Sequence, residues 1–127
     1  MPTGETLITN TTNGKLPRLP FARMKDAILG EKYNLSVAIV PPHESHRLNK
    51  AFRGKDNPTN VLSFPYTKLS GELVLDIATA RTQADDFDMT EKKFLIYLVI
   101  HGMLHLKGLD HGSIMDRSEK KFLKIFS

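Results

Sequence analysis

The 127-residue sequence is 40% hydrophobic and 25% charged, which is typical of one globular domain, and residues 1–127 are predicted to form that domain. It has no cysteine, so disulfides and thiolate metal sites are excluded and any zinc needs nitrogen or oxygen ligands. The net charge of +4 mildly favours a polyanionic partner such as RNA. Residues 1–10 do not resemble a signal peptide, and the longest apolar run, 94–106, is too short to span a bilayer.

Hydrophobic periodicity and turn residues predict the elements in chain order. These are a strand at 5–10, a helix at 19–32, a strand at 35–40, a helix at 43–54, an antiparallel pair at 61–66 and 71–78, and helices at 77–87, 90–107 and 115–126. The run within 94–106 predicts that the helix at 90–107 is the central, buried one. Because strands and helices do not alternate strictly, the predicted fold class is α+β, with a small mixed sheet packed against helices.

Several local features are predicted within these elements. In the helix at 43–54, Leu48, Ala51 and Phe52 are expected to face inward, with Arg47 and Lys50 outward and Gly54 at the end. Gly71 is expected in the turn of the antiparallel pair, and Asp88 is expected to cap the central helix. The last helix is expected to place one set of side chains on one side: Met115, Phe122, Ile125 and Phe126.

Three of the five histidines lie in HGMLHLKGLDH, residues 101–111. His101 and His105 differ by about 40° and about 6 Å along a helix, so both rings project from one face. On a continuous helix His111 would lie roughly 15 Å away, which is out of reach. Gly108 can end the helix in the left-handed conformation, so that His111 returns to the other two. The spacing therefore predicts a metal site on a zincin-like central helix carrying HxxxH.

Three imidazoles leave a fourth position for water, as in catalytic zinc sites, where the pKa of that water falls to about 7. Zinc is the default metal, but imidazole also suits nickel, copper and iron. The spacing H-x3-H-x2-G-x2-H matches the metzincin protease signature except that Gly102 replaces the glutamate that acts as general base. This difference disfavours peptide hydrolysis. Asp110 either orients a ligand imidazole or caps the turn.

Two blocks of the sequence resemble the YbeY family of bacterial endoribonucleases and rRNA maturation factors. HGMLHLKGLDH resembles the family signature H-G-x-L-H-L-x-G-[YF]-D-H, with Leu109 in place of an aromatic residue. LNKAFRGKDNPTNVLSFPY resembles L-N-x-x-[YF]-R-x-K-D-x-P-T-D/N-V-L-S-F-P, and GELVL is similar to the family's G-D-I-V-I strand, with Glu72 in place of aspartate. Together the blocks cover most of residues 48–111.

The resemblance implies one zinc ion per chain, held by His101, His105 and His111, and metal-dependent cleavage of single-stranded RNA. It further implies maturation of the 16S rRNA 3′ end, ribosome quality control, contact with ribosomal components and a cytoplasmic location, with neither a membrane nor DNA as partner. A non-catalytic, metal-stabilised RNA-binding assembly factor is the alternative, and a metalloprotease is less favoured.

The resemblance implies that Arg53 is a functional residue, because the arginine at this position is functional in the family. A guanidinium suits a scissile phosphate, so Arg53 and His101 are the predicted catalytic residues. A surface ion pair with Asp56 is the alternative for Arg53. Further RNA contacts are predicted at Lys55, Arg47 and Lys50, each of which is alternatively a solvated charge. The general base is not assigned: the candidates are the carboxylates of Glu72, Asp76 and Asp56, and the alternative is a zinc hydroxide that acts without a separate base. His43 and His46 either assist RNA binding or begin a surface helix.

Overall fold

Four strands form one mixed sheet in the computed structural model, which describes residues 4–127. The strands are β1 (Thr6–Asn10), β2 (Asn34–Ile39), β3 (Val61–Thr67) and β4 (Ser70–Leu75). Their order is β1-β2-β4-β3; β1, β2 and β4 are parallel, and β3 runs antiparallel to β4 at one edge. The predicted antiparallel pair is confirmed, but Gly71 is not in its turn. It is buried within β4, where an added Cβ would lie 2.4 Å from the Tyr33 hydroxyl.

The helices pack around this sheet. They are α1 (Phe21–Ile28), α2 (Pro42–Arg53), α3 (Ile77–Arg81), α4 (Glu91–Leu106) and α5 (Ser113–Phe126), with a 3-10 turn at Ala84–Phe87. The helix expected at 77–87 is thus two short pieces. Asp88 does not cap α4: its left-handed backbone, with φ of 53°, closes the 3-10 turn. The cap of α4 is Thr90, whose hydroxyl accepts the Lys93 N–H at 3.2 Å.

The central position of α4 is confirmed, because ten of its sixteen residues are buried. It packs against the sheet at Gly102, where an added Cβ would lie 2.7 Å from Leu73 Cδ2 and 3.2 Å from Ser63 Oγ. The Ser63 hydroxyl also donates to the Gly102 carbonyl at 3.0 Å. Glycine therefore allows the helix to approach β3 and β4 closely, and this contact fixes the two histidines of α4 relative to the sheet edge.

The prediction of which side chains of α2 face inward is partly wrong. Arg47 and Lys50 are exposed as expected and Leu48 is half-buried, but Ala51 and Phe52 are exposed as well. The buried residues of α2 are the polar Ser45 and Asn49. They are buried because they bind polar groups: the Ser45 hydroxyl donates to Asp76 at 2.6 Å, and the Asn49 amide donates to the Asn57 carbonyl at 2.9 Å. A helix that buries hydrogen bonds does not follow a hydrophobic period.

The side chains of α5 that face the core also differ slightly from those predicted. Met115 is buried, and Phe122 and Phe126 pack against the core, but Ile125 is 55% exposed. Leu123 also packs against the core, and the buried charged residue on this side of the helix is Glu119, which is only 7% exposed. The α+β fold, with its small mixed sheet and a central helix carrying HxxxH, is confirmed. Within residues 4–127, no helix is both long and apolar enough to cross a bilayer.

Candidate metal centre and its groove

The turn after α4 brings His111 back to the helix. Gly108 has φ of +102°, its N–H donates to the His105 carbonyl at 2.9 Å, and the Leu109 N–H donates to the Leu104 carbonyl at 3.0 Å. This pair of hydrogen bonds is the Schellman motif, which requires a left-handed residue at the position of Gly108. The predicted helix stop is therefore confirmed, and its physical reason is the absence of a Cβ at that residue.

The three histidine rings converge. Their ring centroids are 4.6 Å (His101 to His105), 5.5 Å (His101 to His111) and 5.3 Å (His105 to His111) apart. One ligand nitrogen from each ring lies within 4.8 Å of the other two, and the Nε2 atoms of His101 and His105 are 3.1 Å apart. Two nitrogens bound tetrahedrally to one zinc lie about 3.4 Å apart, from bonds of about 2.1 Å. The cluster fits a single metal ion with little ring movement.

A buried carboxylate orients His101. The Nδ1 of His101 is 3.2 Å from Oε2 of Glu119 on α5. Because a carboxylate only accepts hydrogen bonds, the Nδ1–H donates, and Nε2 is left as the free metal-binding nitrogen. Sequence analysis missed Glu119. Its position was detectable, because 115, 119, 122 and 126 form one helical stripe whose other members are all apolar. Asp110 is exposed and makes no hydrogen bond to the three rings within residues 4–127, so its role stays a prediction.

Burial changes the proton affinities around the cluster. It lowers the pKa of His105, and the neighbouring rings of His101 and His111 lower it further when they are charged. A depressed pKa keeps His105 neutral, which is the form that binds a metal. Burial raises the pKa of Tyr97 to about 12, and the adjacent charge of Glu119 adds to this rise. Tyr97 is therefore a neutral hydroxyl at physiological pH and lies beside His101, with ring centroids 6.1 Å apart.

None of the three carboxylates considered as general base makes a hydrogen bond or ion pair with His101, His105 or His111. Asp76 is fully buried and accepts hydrogen bonds from Thr79 N–H at 2.9 Å, Thr79 Oγ1 at 2.6 Å and Ser45 Oγ at 2.6 Å. Asp56 is exposed and pairs with His46 at 2.7 Å, and Glu72 accepts from the Tyr66 hydroxyl at 2.7 Å. Asp76 is therefore a structural residue that anchors α2 and caps α3.

The histidines lie in a groove of about 690 Å³. Arg53, the last residue of α2, lines the same groove and is exposed, and within residues 4–127 no carboxylate lies in salt-bridge range of it. The structure thus brings together Arg53 and the three histidines. The other predicted RNA contacts lie outside the groove lining: Arg47 pairs with Glu44 at 2.5 Å, Lys50 lies 3.9 Å from Asp56, and Lys55 is exposed beside Gly54.

The mixed-sheet α+β fold thus carries, on a glycine-ended helix, a three-histidine cluster that could hold one metal ion. Comparison with known proteins makes the assignment specific. The family profile described as Endoribonuclease YbeY matches residues 15–126. The chain belongs to this family.

Two relatives described as Endoribonuclease YbeY align over 102 residues. The protein from Colwellia psychrerythraea is 36% identical, and the one from a Wolbachia strain of Drosophila simulans is 38% identical. The alignments cover 75% and 72% of this chain and 66% and 68% of the relatives, so the chain spans about two thirds of their length. The solution structure of TM1509 from Thermotoga maritima is similar, with a TM-score of 0.68 and 29% identity, over 94% of this chain and 87% of that one.

Proposed function

We propose that this protein is a zinc-dependent endoribonuclease that cuts single-stranded RNA. Its proposed substrate is the 3′ end of 16S rRNA, and its proposed setting is ribosome maturation and quality control in the cytoplasm, in contact with ribosomal components. His101, His105 and His111 would hold one zinc ion per chain. Membership of the Endoribonuclease YbeY family supports the nuclease activity.

One observation carries the proposal: three histidine nitrogens within 4.8 Å of one another share a groove with Arg53, for which no carboxylate within residues 4–127 lies in salt-bridge range. A groove that combines a cation site with a free guanidinium suits a phosphodiester, because the anionic oxygens can be bound from two sides. The chain's net charge of +4 is consistent with a nucleic acid substrate.

Each residue has a proposed part in the reaction. When bound, zinc would supply a nucleophile by lowering the pKa of water and would polarise a phosphoryl oxygen. Arg53 would bind the scissile phosphate and stabilise the charge that develops on it. Glu119 would hold the His101 ring so that Nε2 points to the metal. Gly102 occupies the place of the protease's glutamate, and a Cβ there would lie 2.7 Å from Leu73 Cδ2, so a side chain would require Leu73 to shift.

The test is cleavage of a labelled single-stranded 16S rRNA fragment by purified, zinc-loaded protein. His101→Ala is compared with His46→Ala, because His46 lies outside the groove lining and is paired with Asp56. Zinc content and circular dichroism are measured on every preparation. We expect the wild type and His46→Ala to cut and to bind about one zinc per chain, and folded His101→Ala to lose both properties.

Three other outcomes would contradict the proposal. Equal cleavage by all three proteins would identify a contaminating nuclease. RNA binding without cleavage by the zinc-loaded wild type would instead support the non-catalytic assembly factor. Cleavage of an unfolded protein substrate, dependent on His101, would support a metalloprotease.

A further inference from the structure

Phe52 is an apolar side chain that the fold leaves in solvent. Its exposed fraction is 67%, the highest among the large hydrophobic residues of the described chain. It lies in the last turn of α2, next to Arg53, and both residues line the groove that contains the three histidines. A single exposed apolar residue is ordinary, but one at the edge of a functional groove is available to a ligand.

The Phe52 ring is held in place. Its centroid lies 5.2 Å from that of Phe64 on β3, with the rings inclined at 71°, which is the favourable edge-to-face arrangement. This contact positions the ring at the entrance of the groove and leaves most of its surface uncovered. An ordered, exposed ring gains binding energy at a small cost in conformational entropy.

The charges around Phe52 favour a nucleic acid. Arg53 and Lys55 follow it in the chain, both are exposed, and no acidic group within residues 4–127 lies in salt-bridge range of either. The groove's other strongly exposed ring, Phe87, is 50% exposed but has Asp85, Asp86 and Asp88 beside it in the sequence, and these repel phosphate. A polyanionic strand is therefore favoured on the side of the groove formed by α2.

We propose that Phe52 is a stacking platform for an unpaired nucleobase next to the phosphate that Arg53 binds. The inference rests on the proposed RNA cleavage and extends it with a base-binding subsite. Stacking tolerates any base, since every base has a π face, but it requires that the base be free of a duplex. The subsite would thus contribute to a preference for single strands without reading sequence.

The experiment is equilibrium binding of zinc-loaded protein to a single-stranded RNA of about 12 nucleotides that carries one 2-aminopurine. The variants are Phe52→Leu, which remains apolar, and Phe52→Trp, which remains aromatic. Tyr66→Ala is the matched control, because Tyr66 is 63% exposed on β3 and does not line the groove. Each reading is completed before detectable cleavage, which a gel of the same sample verifies, and folding is verified by circular dichroism.

We expect Phe52→Leu to raise Kd by about 5- to 150-fold and to abolish the 2-aminopurine quenching. Phe52→Trp and Tyr66→Ala should bind like the wild type. An abasic nucleotide moved along the RNA should find one position at which the penalty of Phe52→Leu disappears, which identifies the base that the ring contacts.

The proposal is overturned if Phe52→Leu binds with the wild-type Kd and quenching, even in a protein that cuts RNA. It is also overturned if the wild type binds no RNA. Quenching that depends on Phe52 in a protein that never cuts would support the stacking subsite and contradict the proposed cleavage, so the two proposals fail separately.

Discussion

Two walls of the groove are built in opposite ways. The histidine wall, formed by α4 and His111 and supported by Glu119 of α5, rests on the apolar core, and its polar groups contact one another. The arginine wall, formed by α2 and residues 54–60, buries the polar Ser45 and Asn49 and exposes the apolar Phe52 together with cationic side chains. A site fixed by core packing is rigid, whereas one held by a few hydrogen bonds depends on each of them. If the proposed function is correct, metal binding depends on one wall and phosphate binding on the other.

The largest expected effect is on the arginine wall. Arg53→Ala should lower kcat for RNA cleavage by about 100- to 1000-fold, because one charged donor to the reacting phosphate is lost. Zinc content should not change, since the histidines lie on the other wall. Arg81→Ala is the control, because Arg81 is exposed, pairs with Glu91 and does not line the groove. Loss of zinc from Arg53→Ala would contradict the separation of the two walls.

The next effect concerns how the arginine wall is anchored. Asp76→Ala should lower the free energy of unfolding by about 2–3 kcal/mol, because it leaves buried donors of Ser45 and Thr79 without an acceptor. Urea denaturation of the metal-free protein measures this change. The exposed Asp56→Ala, which loses only surface pairs with His46 and Lys50, should change stability by less than about 0.5 kcal/mol. Equal stability of both variants would show that Asp76 does not anchor α2.

A smaller effect is expected on the histidine wall. Glu119→Gln should weaken zinc affinity by about 10- to 100-fold, since the neutral amide holds the His101 Nδ1–H less strongly. Competition with a chelating dye measures the affinity without reference to activity. Glu91→Gln, an exposed change at the start of α4, the helix that carries His101, serves as control. Unchanged zinc affinity in Glu119→Gln would exclude Glu119 as the orienting group.

The smallest expected effect is a pH dependence of the stability of the metal-free protein. Because burial lowers the pKa of His105, the unfolded chain binds a proton at this residue more readily than the folded one. The stability of the metal-free protein should therefore fall as the pH drops below about 6.5, the ordinary value for histidine. His105→Gln should reduce this slope in urea denaturation between pH 7.5 and 5.5. A slope that stays the same would mean that His105 does not contribute to it.

Much of the histidine wall could be predicted from the sequence. The i, i+4 spacing of His101 and His105 and the glycine three residues later are local features, and helical geometry alone determines where they place the rings. The strands and the central helix followed from long apolar runs. Glu119 was missed because a glutamate within an amphipathic helix is usually solvated, and only its place in an apolar stripe indicated otherwise.

The arginine wall could not be predicted in the same way. The apolar spacing of Leu48, Ala51 and Phe52 indicated an inward face, but α2 turns Ser45 and Asn49 inward instead. Their hydrogen bonds to Asp76 and Asn57 join residues that are 31 and 8 positions away. No local periodicity encodes such partners, so the outward position of Phe52 depends on contacts between distant segments.

The sequence alone determined most of the elements, the central helix and the convergence of the three histidines, because each follows from short-range geometry and hydrophobic period. Only the tertiary structure showed that Arg53 shares their groove, that Glu119 orients His101 and that Phe52 is exposed. These three features depend on how α2 and α5 pack against α4 and the sheet. That packing is decided by long-range hydrogen bonds and close contacts, such as Gly102 on Leu73, which local sequence patterns do not specify.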